Sequence, residues 1–90
     1  MPPHPGGVLR REVLQARGMT QTELAARLGT HPNAVLALLT ERARLSPDMA
    51  IRLERLLGRP AEQWMQMQVA LDLWQARQDA ARFEGIEPLA

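Results

Sequence analysis

The chain has 90 residues, 46% of them hydrophobic, and its eleven basic residues, all arginine, leave a net charge of +1 against ten acids. That length holds one small domain with a modest core, and the absence of cysteine excludes a disulfide framework, a cysteine-ligated zinc and a thiol nucleophile together. The opening stretch MPPHPGGVLRREV lacks an apolar leader core and no run approaches membrane-spanning length, so the expectation is a cytoplasmic protein with no membrane partner.

The pattern is helical throughout, with no alternating stretch and no hairpin dipeptide. Helix one is expected from about Gly6 to Arg17, with Leu9, Val13 and Ala16 at helical spacing and Gly18 as its stop. Helix two opens on a capping box, Thr20 to Glu23, with Met19 and Leu24 placed as a hydrophobic staple. Leu24, Ala25 and Leu28 form its inner stripe and Gly29 ends it. Thr30 is the candidate cap of helix three, which has Pro32 in its first turn and Val35, Leu38 and Leu39 on its inner face. Ser46, Pro47 and Asp48 then open helix four as cap, first-turn proline and dipole-matched acid, with Met49, Leu53 and Leu56 inward and Gly58 as the stop. A longer helix five is expected from about residue 60 to 83, leaving 84–90 as a frayed tail. The fold class is therefore all-α, a single domain over 1–90.

Residues 20–40 meet the demands of a helix-turn-helix, two helices crossing closely over a short turn. Counted from Gln21, the small Ala25, the turn Gly29 and the inward Val35 and Leu38 stand at the fifth, ninth, fifteenth and eighteenth places. An ordinary helical hairpin would satisfy each position singly; the joint register with both caps favours the DNA-binding motif.

Three segments, HPGGVLRREVL, GMTQTELAARLG and ARLSPDMAIRLERLLGRPAEQWMQMQVALDLWQAR, resemble the HigA family of antitoxins, within the lambda-repressor-like (XRE-type) group. The likeness covers residues 4–77, and its His-Pro-Gly and Leu-Ser-Pro-Asp-Met-Ala segments are more specific than the helix-turn-helix itself. It implies a dimer that neutralises a HigB-like mRNA-cleaving toxin and represses its own operon. The alternatives are a free-standing regulator of the same fold, and a toxin-binding module with little DNA binding.

In such a motif helix three lies in the major groove and presents its N-terminal and outward residues to base edges. The residues expected at DNA are Gln21, Thr22, Thr30, His31, Asn33, Ala34, Ala37 and Thr40, with Arg42 and Arg44 on phosphates. Charge agrees in direction: residues 1–45 carry six arginines against three acids, residues 46–90 five against seven. Here the chain departs from its family. Related recognition helices commonly read Ser-Arg-Asn-Thr-Val-Ser-Arg over positions 31–37, and this one reads His-Pro-Asn-Ala-Val-Leu-Ala. Arginine is the commonest reader of guanine. Its absence leaves Asn33 as the strong base-reading group and His31 as a possible second, while Leu36 and Ala37 offer only apolar contact to a thymine methyl.

Helix five carries two apolar stripes, Trp64-Met67-Leu71-Trp74 and Met65-Val69-Leu73-Ala76. One covers the domain core; the second is the candidate dimer interface. Nothing suggests catalysis. The two histidines, His4 and His31, have no carboxylate three or four residues on, and no glycine-rich phosphate loop follows a strand, so no enzyme activity, metal or cofactor is expected.

Overall fold

The chain enters its first helix through His4, whose Nδ1 accepts the Gly6 amide at 2.9 Å, with Pro5 at the first helical position, where a missing N–H costs nothing. The structure, a computed structural model describing residues 1–89, then runs through five α-helices. These are α1 (Pro5–Leu9), α2 (Gln21–Leu28), α3 (Pro32–Leu39), α4 (Pro47–Leu57) and α5 (Ala61–Arg77). The expected all-helical class and five-helix order hold.

The glycine after Pro5 is a packing requirement. A Cβ on Gly6 would sit 1.8 Å from the Leu38 carbonyl oxygen, so α1 and α3 touch backbone to backbone and only a bare Cα fits. From Arg10 to Gln15 the first helix widens into π-type turns. That widening turns Val13 inward and leaves Ala16 exposed, correcting its expected place on the inner stripe.

Thr20 caps α2 by accepting the Glu23 amide at 3.1 Å, but the return arm differs from a standard capping box. Glu23 takes a hydrogen bond from the Thr20 hydroxyl at 3.1 Å. Gly29 closes the helix at φ 69°, the left-handed turn that favours glycine. His31, not Thr30, caps α3: its Nδ1 accepts the Asn33 amide at 3.0 Å. The reason is local. Pro32 pushes the residue before it into extended backbone, which is the conformation of a cap, and His31 has φ −68° and ψ 138°. Ser46 caps α4 as expected, accepting from Met49 at 3.1 Å.

Leu9, Leu24, Val35, Leu45, Leu53 and Trp64 are among the fully buried side chains where the helices meet. Arginines from other elements finish the ends of the motif helices. Arg52 of α4 donates to the carbonyls of Leu28 and Gly29 at 2.8 and 3.1 Å, and Arg10 donates to the Leu39 carbonyl. Glu54 accepts the Ala61 amide at 2.7 Å and so caps α5.

Helix α5 is shorter than expected. It ends at Arg77, Asp79 leaves helical geometry at φ −105° and ψ 63°, and Ala80–Phe83 is a 3₁₀ turn that buries no side chain. Without burial to support them, further α-helical turns gain little. Residues 84–89 form no helix or strand, and Ala90 lies outside the described residues.

The inner face of α5 is also not the continuous apolar stripe expected. Trp64 and Leu71 are buried, Met67 is half-buried and Trp74 is exposed, while Gln68 is buried between them. Burial of Gln68 is tolerated because both ends of its amide are bonded. Its Oε1 accepts the Leu45 amide at 2.7 Å and its Nε2 donates to Asp72 at 2.9 Å.

Candidate nucleic-acid interface

Helices α2 and α3 cross in the geometry that the turn at Gly29 enforces, with Ala25 fully buried between elements. Val35, Leu38 and Leu39 anchor α3 to the core. The helical period then sends Asn33, Ala37 and Thr40 to the opposite side, flanked by Ala34 and Leu36. Asn33, Ala34 and Thr40 are exposed; Leu36 and Ala37 are half-buried, so Leu36 shares itself between the core edge and this face.

The other expected contacts divide. Gln21 is half-buried at the start of α2 and Thr22 beside it is exposed, next to first-turn amides that have no helical partner. Thr30 is half-buried, its hydroxyl enclosed and without a hydrogen-bond partner among the described residues. His31 is exposed, with one ring nitrogen committed to the cap. Thr40 donates its hydroxyl hydrogen to the Leu36 carbonyl at 2.8 Å and accepts from Arg42 Nε at 3.0 Å, which ties Arg42 to the end of the recognition helix.

Arg44 stands apart from that group. Its guanidinium is paired side-on with Asp72 of α5, Nε lying 3.1 Å from Oδ2 and Nη2 also bonding Oδ2. Hydrogen bonds from Arg44 hold the Asp72 carboxyl below the usual carboxylate range, with a further contribution from Gln68, while partial burial opposes them. The same bond raises the Arg44 guanidinium above its ordinary value. The relay Leu45–Gln68–Asp72–Arg44 therefore fastens the loop after α3 to α5. Sequence reasoning missed it; a glutamine and an aspartate at i and i+4 within an otherwise apolar face were the available signal. Beside it Glu41 adopts φ 62° and pairs with Arg10 at 3.4 Å.

Among the described residues, Arg11, Arg17, Arg27, Arg42, Arg55 and Arg77 make no ion pair, so cationic surface remains on the helix-turn-helix side as well as beyond it. Among the described residues no group of acids and histidines could hold a metal ion and no helix is long and apolar enough to cross a membrane.

Residues 11–64 match a helix-turn-helix family model, which contains the whole of α2 and α3. Antitoxin HigA-1 of Vibrio cholerae is 37% identical over 87 residues, spanning 93% of this chain and 80% of that protein. The structure of the Pseudomonas aeruginosa antitoxin HigA with the higBA promoter superposes with a TM-score of 0.92 at 35% identity over 100% of both chains. The chain belongs to the HigA family of antitoxins. Antitoxin GraA in complex with its operator is similarly close, with a TM-score of 0.92, 35% identity and coverage of 100% of this chain and 93% of that one. HigA proteins are helix-turn-helix regulators, not enzymes.

Proposed function

We propose that this HigA-family chain binds operator DNA as a homodimer, represses its own operon and neutralises a HigB-like toxin in the cytoplasm. The observation that carries the DNA reading is the face of α3. Its outward residues stand clear of the core on a helix capped at its start and fastened at its end, while relatives of the same fold have been solved with promoter and operator DNA. In mechanism, α3 enters the major groove with Asn33, Ala34 and Ala37 toward base edges. Gln21, Thr22 and the amides opening α2 grip phosphate, joined by Arg42 past the recognition helix; Thr30, with its hydroxyl enclosed, and Arg44, paired with Asp72, leave the expected set of contacts. His31 and Thr40 mark the two ends of the reading surface.

The second stripe of α5 supports the dimer. Val69 and Leu73 are 48% and 46% exposed, and Met65 and Ala76 lie half-buried along the same face. Met65 continues into an apolar groove between α4 and α5 that includes Ala50 and Ile51. A twofold-related copy would cover this surface and place two recognition helices on one duplex.

Two readouts test the proposal in cells. Co-expression with a HigB-like toxin should restore growth, and a reporter fused to the chain's own promoter should be repressed. Asn33→Ala should weaken specific binding by roughly 1–3 kcal/mol, as for a lost bidentate base contact. It should relieve repression while keeping growth rescue. Repression without rescue would leave a free-standing regulator; rescue without repression would leave a toxin-binding module.

A further inference from the structure

The hydrogen-bonding groups left on the reading face of α3 limit which base pairs it can prefer. The segment from His31 to Thr40 has no charged side chain, so the usual bidentate partner of guanine is missing. The structure removes two further groups that the sequence appeared to offer. The Thr40 hydroxyl spends its hydrogen on the Leu36 carbonyl at 2.8 Å. His31 Nδ1 accepts the Asn33 amide at 3.0 Å, which puts the proton of the neutral ring on Nε2 and leaves His31 a donor only. The amide side chain of Asn33 makes no hydrogen bond among the described residues, and so keeps both its donor and its acceptor. Around it lie methyl groups: Ala34 exposed, Ala37 and Leu36 half-buried.

Resting on the operator-binding reading above, we infer that the chain reads A·T-rich half-sites, chiefly through thymine methyl groups packed against Ala34, Leu36 and Ala37. Asn33 adds one adenine contact through N6 and N7. His31 Nε2 donates to a purine N7 or a thymine O4 at the helix start, contacts that a lone donor can make but that do not demand guanine. Cytosine offers this face no methyl group, so a G·C pair can take a hydrogen bond from His31 or Asn33 but forgoes the apolar contact that carries the preference.

The test changes the DNA and leaves the protein untouched. The full chain is footprinted on its own promoter, and the protected duplex is then remade with uracil in place of thymine, which keeps pairing and removes only the C5 methyl. Affinity should fall about fourfold for each contacted methyl, the worth of one buried methylene-sized group. The same replacement in a scrambled duplex should leave affinity unchanged. In Asn33→Ala the uracil penalty should persist, because the methyl contacts do not pass through that side chain. Equal affinity for the thymine and uracil duplexes, with both bound better than scrambled DNA, would overturn the inference and leave operator binding intact. Binding of neither above the scrambled duplex would overturn operator binding and this inference with it.

Discussion

Two neighbouring glycines in the first helix meet different surroundings. A Cβ on Gly6 would stand 1.8 Å from the Leu38 carbonyl oxygen, whereas on Gly7 its nearest neighbours are the tips of Arg11 and Glu41 at 3.5 Å. Gly6→Ala must push α1 away from α3, and it should cost about 3 kcal/mol, the upper range for overpacking a close contact. Gly7→Ala should be neutral or stabilising by up to about 1 kcal/mol, because alanine is the better helix former. Thermal melts of the two variants check this, and equal midpoints would contradict the backbone contact. The reason for the His-Pro-Gly opening was only half legible in the sequence. Cap and proline could be read from residue type, but the partner of Gly6 is 32 residues away and no local pattern announces it.

The helix-turn-helix itself was written locally: Thr20, Gly29, Pro32, Ser46 and Pro47 act on backbone within a few residues, and each punctuates the chain where expected. What local reading misjudged was decided by tertiary contact. The first helix takes π-type turns, and α5 stops at Arg77 where its burial ends. The inner face of α5 includes the polar Gln68, which lay outside both apolar stripes, because the Leu45 amide needs an acceptor there. Asp72 extends that polar relay, and its acid is held below the usual carboxylate range by the Arg44 hydrogen bonds. A depressed folded-state value adds stability above the ordinary carboxylate range and loses it as pH falls through the depressed value. Wild type should therefore melt above Asp72→Asn at neutral pH, and the gap should close in strong acid. A gap that stays constant with pH would show that the pair contributes nothing through its charge.

At the scale of the molecule, the small core and the half-exposed Val69 and Leu73 point the same way. In the proposed dimer a second copy would cover that face and add to the stability of a chain of 90 residues. Leu73→Asp, placed on that face and away from the core, should convert the protein to a monomer in sedimentation at micromolar concentration. It should also weaken operator binding, because half-sites are then engaged singly. An unchanged dimer would move the interface elsewhere. The outward face of α3 could be placed from its helical period, but that His31 and Thr40 are committed to the backbone of their own helix is visible only in the structure.

The most direct test of the account is a titration of the full chain against its footprinted promoter duplex and a scramble of identical base composition, at one stated salt concentration, with stoichiometry read by native mass spectrometry. The account predicts two chains per half-site pair and a preference for the promoter of about 10³-fold, the low end for specific protein–DNA recognition, as a face with few hydrogen-bonding groups should give. Equal affinity for the two duplexes, or a single chain on the promoter, would contradict it.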